Sequence, residues 1–256
     1  IRVVSWNEAA DTKLCECKRC RAQDPMPDYH ADRVLRWVNT LATAAGAKHP
    51  DKTFFTGAYA DYVKPPVAQT PADNVVVLYA PWYWNSRATS WVSFDNPVNV
   101  IAMKELMGWC RQAPGRMGVY DYPGDKGFAA ARRTKMYTRH GIRHIYYNGA
   151  RGDRLQWLAS QTCWDPFRDT EPLWQGYADA RYGPAAELMK TYFQLRREAV
   201  QEHCIHSRRV FLGSSSNPAS VGPEYYTKVR WLLGAAREKA DAADKLTRLR
   251  VYNDVA

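Results

Sequence analysis

Asn74-Val75-Val76-Val77-Leu78-Tyr79 is the stretch of sequence that decides the fold class. A continuous run of β-branched residues is typical of a strand that is buried on both faces, and such strands belong to parallel sheets. Four further strands are predicted from similar runs, at residues 1–5, 52–59, 116–120 and 142–147. Strands that alternate with helical segments predict a parallel β/α sheet.

Helices are predicted between the strands at 32–46 and 97–112, and the segment 126–140 is either a helix or an irregular connection. After the last strand, helices are predicted at 153–162, 169–182, 184–203 and 224–251. Five strands in a chain that starts on a strand fit the second half of a TIM-type (β/α)8 barrel. We therefore predict a half-barrel over residues 1–165 and a helical extension, packed on the barrel, over 166–256. A five-stranded open sheet is the alternative.

A start on a core strand indicates that the chain is cut from a longer protein. A half-barrel would then need the missing N-terminal half as a partner, because exposed sheet edges pair with other strands.

The charge and hydropathy of the chain exclude two classes of partner. No apolar run approaches the ~20 residues that cross a bilayer, so no membrane span is expected. The net charge of +10 comes from scattered basic pairs without a recognition motif, which argues against nucleic acid. An ordinary basic surface and an anionic glycan partner both fit this charge.

Carboxylates, phenols, indoles and amides follow the predicted strands. In a parallel β/α structure the carboxyl ends of the strands converge on one face. Carboxyl groups among aromatic rings are typical of glycosidic hydrolysis, in which one carboxyl protonates the leaving oxygen and the rings stack on sugars. The candidate catalytic residues are Glu8, Asn7 and Asp121, and the candidate substrate contacts are Tyr59, Trp82, Trp84, Tyr120, Tyr122 and Asn148.

Glu8 is the candidate proton donor and Asp121 the second carboxylate, with Asp61 a weaker candidate. Each has an ordinary alternative role. Glu8 also fits the role of a common strand-end carboxylate, and Asp121 that of a turn-forming residue before Pro123.

Three cysteines form the dense cluster Cys15-x-Cys17-x-x-Cys20. One interpretation is a structural metal site with a fourth ligand from His30 or a distant cysteine. A disulfide in a secreted protein and reduced thiols are the alternatives. A structural role is favoured over catalysis, because no histidine is placed to activate a thiolate. No other cofactor is expected.

Several motifs together resemble a known family. They are Ser5-Trp6-Asn7-Glu8, the cysteine cluster, Ala58-Tyr59, Pro65-Pro66, Asp73-Asn74-Val75 and Tyr182-Gly183-Pro184-Ala185-Ala186. Their order resembles that of a bacterial glycosidase-like family, formerly a domain of unknown function and now represented by glycoside hydrolase family 163.

This resemblance implies a barrel related to those of α-glucuronidases and hexosaminidases. It implies activity like that of an endo-β-N-acetylglucosaminidase on N-glycans, with the acetamido group of the substrate as nucleophile. Glu8 matches the general acid, whereas Asn7 stands where such enzymes often carry Asp. An amide orients an acetamido group but cannot share its developing charge.

The resemblance also implies a secreted, periplasmic or cell-surface location, although no signal peptide is visible in this chain. The alternative function is a non-catalytic carbohydrate-binding or structural assembly protein derived from a glycosidase barrel.

Overall fold

The computed structural model describes residues 14–81, 97–122, 127–148, 153–206 and 222–254. The predicted strand at 1–5 lies outside these ranges, as do four of the candidate site residues, Asn7, Glu8, Trp82 and Trp84.

The described chain has an α/β fold with one four-stranded parallel sheet. Its strands are β1 (Phe54–Ala58), β2 (Val75–Tyr79), β3 (Met117–Asp121) and β4 (His144–Tyr147). The order in the sheet is the order in the chain, β1-β2-β3-β4, and over the described residues the sheet is open. The predicted α/β class and four of the five predicted strands are therefore confirmed.

Four α-helices accompany the sheet in the described sequence, namely α1 (Lys18–Arg21), α2 (Ala31–Lys48), α3 (Val100–Gln112) and α4 (Gly127–Arg139). Short 3-10 turns lie at Ala60–Tyr62 and Pro97–Asn99. Since side chains alternate across a strand, every second strand residue points to the helices. The resulting core joins strand residues Val75, Val77, Tyr79, Met117 and Val119 to helix residues Leu35, Val38, Leu106, Trp109 and Tyr137.

The connection between β1 and β2 is fixed by a buried carboxylate on α2. Asp32 is 1% exposed and accepts three backbone N–H groups, from Val67 at 2.8 Å, Ala68 at 2.7 Å and Gln69 at 2.6 Å. These bonds satisfy three donors that would otherwise need water, so a long connection is held against the helix layer.

The opposite face of the sheet is concave. Phe55 on β1 and His144 on β4 meet edge to face, with ring centroids 5.3 Å apart. In a flat sheet these two strands would lie about 14 Å apart, three spacings of ~4.8 Å. Gly118 on β3 lies beneath this contact, and a Cβ there would fall 2.7 Å from His144 Cβ and 2.5 Å from Leu78 Cδ2.

The chain divides into two compact units, one made of the described residues within 1–124 and 133–149, the other of those within 125–132 and 150–256. The second unit contains α5 (Asp153–Trp164), α6 (Thr170–Tyr182), α7 (Ala186–His206), α8 (Pro223–Asp241) and α9 (Lys245–Asp254). Its core includes Leu158, Trp174, Tyr182, Met189, Phe193, Leu232, Ala236 and Val251. The domain boundary predicted between residues 165 and 166 lies one residue after the end of α5.

The single helix predicted over 224–251 is wrong, because the chain forms two helices there. Asp244 interrupts it: one carboxylate oxygen accepts the N–H groups of Leu246 at 2.8 Å and Thr247 at 2.9 Å. The other oxygen accepts the Thr247 hydroxyl at 2.6 Å. An aspartate that bonds N–H groups two and three residues ahead is a helix N-cap, so α9 starts anew.

No helix in the described ranges combines the length and the apolar character needed to cross a bilayer.

Gly118→Ala is expected to destabilise the first unit by about 1–3 kcal/mol, because the added methyl group overlaps Leu78 and the backbone of His144. Urea unfolding followed by circular dichroism measures this loss. Gly176→Ala, in α6, is the matched control: no described atom lies within 4 Å of its added Cβ. The control should be neutral or slightly stabilising. Equal stability of Gly118→Ala and the unmodified chain would contradict the close packing of the concave face.

Candidate functional site

Four tyrosines gather at the carboxyl ends of the strands. Tyr120 and Tyr146, on β3 and β4, and Tyr122, which follows β3, lie on the concave face. Tyr59 follows β1, is close enough to Tyr120 to affect its pKa, and also packs against the helix-side core. The rings of Tyr120 and Tyr146 are stacked with centroids 4.6 Å apart, and Tyr122 lies 5.4 Å from Tyr120. We call these four residues the tyrosine cluster.

Strand register produces this cluster. Tyr120 and Tyr146 are direct partners across β3 and β4, so they point to the same face. Burial raises the pKa of the Tyr120 hydroxyl, and the neighbouring phenols of Tyr146 and Tyr59 raise it further. The hydroxyl therefore stays protonated at neutral pH and is able to donate and accept hydrogen bonds beside a flat aromatic surface.

Three of the predicted substrate contacts, Tyr59, Tyr120 and Tyr122, are thus brought together. Tyr146, which is 53% exposed, was missed by the sequence analysis. Register alone would have identified it, because it pairs with Tyr120. Its neighbour Tyr147 points to the helix side, where its hydroxyl contacts Thr134. Asn148 directly follows β4, and its backbone N–H donates to the backbone carbonyl of Asp121 at 2.7 Å.

Asp121 is fully buried and engaged by both of its carboxylate oxygens. One lies 2.8 Å from Arg133 Nε, in a pair with no exposed surface on either side chain, and accepts the Tyr137 hydroxyl at 2.8 Å. The other accepts the N–H of Tyr122 at 2.7 Å. Arg133 and Tyr137 are four residues apart on α4 and so share one helix face.

This geometry favours a positioning role for Asp121. The carboxylate holds α4 against β3 and fixes the backbone that carries Tyr122. Burial raises the pKa of Tyr137 well above its usual value, and the negative charge of Asp121 raises it further. Tyr137 therefore remains a hydrogen-bond donor to the carboxylate. Asp61, the weaker candidate, is exposed in the 3-10 turn after β1.

Glu105, on α3, is a second buried carboxyl group that the sequence analysis did not identify. It is 8% exposed and accepts the Tyr79 hydroxyl at 2.8 Å. Burial raises its pKa, while the bond from Tyr79 and the charge of Lys64 oppose the rise. The bond connects the carboxyl end of β2 to the helix layer.

The three clustered cysteines bring their sulfur atoms close together in the described structure. The sulfur atoms of Cys15, Cys17 and Cys20 all lie within 4.8 Å of one another. The pKa of Cys17 is lowered, mainly because the backbone N–H of Cys20 donates to its sulfur. The pKa of Cys20 is raised by its contacts with the Cys17 and Cys15 side chains. His30 is not a member of this group over the described ranges, and its Nδ1 pairs with Asp24 at 2.9 Å.

A protein-family model described as "Domain of unknown function (DUF4838)" matches residues 2–194. No curated protein and no solved structure matches the chain.

Arg133→Met is expected to cost about 3–5 kcal/mol in the free energy of unfolding, because it leaves the buried Asp121 carboxylate without its counter-charge. The double variant Arg133→Met/Asp121→Leu should recover most of this loss, since no lone charge remains buried. A double-mutant cycle from urea unfolding measures the coupling. Additive effects of the two substitutions would contradict the pair.

Glu105→Gln should gain stability relative to the unmodified chain as pH rises. The folded-state pKa of Glu105 is raised above its unfolded value of about 4.3, so its stabilising contribution is complete below that value. The contribution is lost as pH rises through the folded pKa. Urea unfolding of both chains between pH 4 and pH 7 measures the difference, and a constant difference would contradict the raised pKa. Glutamine keeps an acceptor for Tyr79.

Proposed function

The chain belongs to the DUF4838 family, and we propose that it is a glycoside hydrolase whose sugar subsite is the tyrosine cluster and whose proton donor is Glu8. The finer fold that we propose is a segment of a (β/α)8 barrel. The proposed substrate is a glycan, and an anionic one suits the net charge of +10. The proposed location is outside the cytoplasm, in line with the resemblance to family 163.

The winding of the sheet supports a barrel segment. A doubly wound sheet reverses its strand order and carries helices on both faces. Here the order is sequential, and the core residues of α2, α3 and α4 pack with one and the same face. The other face is concave, as the contact between Phe55 and His144 requires. Sequential order, one helix layer and inward curvature are properties of a closed barrel wall.

The tyrosine cluster is the observation that carries the proposed substrate class. The apolar face of a pyranose packs on an aromatic ring, and its hydroxyl groups bond to phenols. Aromatic rings and phenol hydroxyls are both present at the carboxyl end of the sheet, on Tyr120, Tyr122 and Tyr146. Barrel enzymes carry their active sites at this end.

Three residues have separate roles in the proposed chemistry. Glu8 donates a proton to the leaving glycosidic oxygen, as the acid of a glycosidase does. Asn7, the preceding residue in the sequence, orients an acetamido group on the substrate. Asp121 acts from behind the site, because its buried ion pair with Arg133 fixes the strand end that carries Tyr122.

A non-catalytic carbohydrate-binding protein is the second candidate. The observation in its favour is that Asp121, the second proposed carboxylate, is fully buried and engaged by Arg133 and Tyr137. Stacking on the tyrosine cluster needs no catalytic carboxylate.

Two substitutions separate the two candidates. Glu8→Gln should lower kcat on an aryl glycoside or N-glycan by about 10²–10⁴-fold while glycan binding persists, because the proton donor is lost. Tyr120→Ala should weaken glycan binding roughly fivefold, since a stacked ring contributes about 1 kcal/mol beyond its area. Kinetics and calorimetric titration measure the two effects.

Glu224→Gln and Trp231→Ala, both on α8 in the second unit, are the matched controls and should change neither quantity. Unchanged turnover in Glu8→Gln would refute the acid. Tight glycan binding by the unmodified chain without turnover would favour the second candidate.

A further inference from the structure

We propose that Cys15, Cys17 and Cys20 form a metal site that takes one zinc ion. Their three sulfur atoms lie within 4.8 Å of one another. Four sulfurs around zinc at about 2.3 Å are separated by about 3.8 Å in tetrahedral geometry. A contraction of about 1 Å or less would therefore bring all three sulfurs to bonding distance of a single ion.

The number of sulfur atoms favours a metal over a disulfide. A disulfide joins two sulfurs and leaves the third crowded against the bond, whereas one ion uses all three. All three cysteines are free thiols in the structure. Under the extracellular location that we propose for the chain, three adjacent free thiols would be oxidised, and a bound ion would protect them.

The local charge suits a zinc–thiolate complex. One Zn²⁺ with three thiolates carries a net charge of −1. The short segment that holds the ligands also carries Lys18, Arg19 and Arg21, of which Arg21 pairs with Glu16 at 2.8 Å. Backbone N–H groups of Cys20 and Arg19 donate to the Cys17 sulfur, which is the usual support for a metal-bound thiolate.

The segment around the cysteines has little else to hold it together. No residue of 14–30 is buried as a whole, although the Asp24 side chain is only 6% exposed, and α1 spans only four residues with no buried side chain. A helix of this length does not persist in water without help from tertiary contacts. A metal cross-link at positions 15, 17 and 20 supplies the missing constraint, so we assign the ion a structural role.

The segment is nevertheless anchored in place for metal binding. Arg33 on α2 donates to the backbone carbonyl of Cys15 at 2.7 Å, and its Nε lies 3.3 Å from Asp24. Asp24 also pairs with His30, so both ends of the loop are attached to the start of α2. A structural zinc ion takes a fourth ligand as well, and the exposure of Cys15 and Cys17 leaves the sulfurs accessible to one.

Metal analysis of the reduced 256-residue chain after desalting tests the site. We expect about one equivalent of zinc per chain, and a tetrahedral thiolate spectrum when Co²⁺ replaces zinc. Cys15→Ser, Cys17→Ser and Cys20→Ser should each weaken zinc binding by about 100-fold or more. Arg33→Met, which removes the bond to Cys15, should weaken it about tenfold.

Cys110→Ser and Cys163→Ser are the matched controls, because both cysteines lie outside the cluster, and these variants should bind zinc as the unmodified chain does. A structural ion should also protect the loop, so chelation should speed trypsin cleavage after Lys18, Arg19 and Arg21. None of these readouts depends on glycosidase activity, so their failure is distinct from failure of the proposed function.

Three results would overturn the proposal. The first is a reduced chain that retains no zinc, and the second is cluster variants that bind zinc like the controls. The third is an intact mass that shows two of the three thiols joined as a disulfide in the protein as isolated. Zinc binding with unchanged trypsin cleavage on chelation would overturn the structural role.

Discussion

The arrangement of the first unit depends on one buried ion pair, that of Asp121 with Arg133. Both side chains are entirely withdrawn from solvent, so each would be costly to bury without the other. The pair brings α4 to the end of β3, and Tyr137 completes the set of donors to the carboxylate. Through the N–H of Tyr122 and the backbone of Asn148, the same residue organises the strand ends on which the proposed site is built. A charged contact in the helix layer thereby determines the shape of an aromatic surface on the opposite face.

The two faces of the sheet differ: one packs against the helices and the other carries the tyrosine cluster. The helix-side face is filled by aliphatic side chains and by buried polar contacts such as Tyr79 with Glu105. The concave face carries rings, aliphatic side chains and two glycines. One of these, Gly118, allows the sheet to curve because it places no side chain beneath the contact of Phe55 with His144. Curvature brings tyrosines from separate strands together, as the proposed sugar subsite requires.

The strands were predictable because continuous β-branched runs are strongly enriched in buried strands and disfavoured in helices and turns. The burial of Asp121 was not predictable from the sequence. Its partners Arg133 and Tyr137 lie 12 and 16 positions further along the chain, and no local sequence pattern marks them. Tyr146 escaped prediction for a related reason: facing direction follows from register with β3, and register is a property of two strands. Asp244 is a local signal for the start of a new helix. The apolar pattern on both sides of it favoured a single helix instead. For the cysteines, spacing predicted their proximity, but only coordinates show three sulfurs converging on one point.

The three N–H groups that converge on Asp32 have a consequence for the order in which the chain folds. Asp32 precedes β1, while its partners lie between β1 and β2, so the segment from α2 to β2 contains the contact that closes its own long connection. Strands β1 and β2 then pair directly, without an intervening strand. Residues 31–79 therefore contain partners for part of their own backbone polarity, while Trp109 and Arg116 supply further donors to the same connection. In a chain that folds as it is synthesised, the segment from α2 to β2 is able to act as a template onto which β3 and β4 add one at a time.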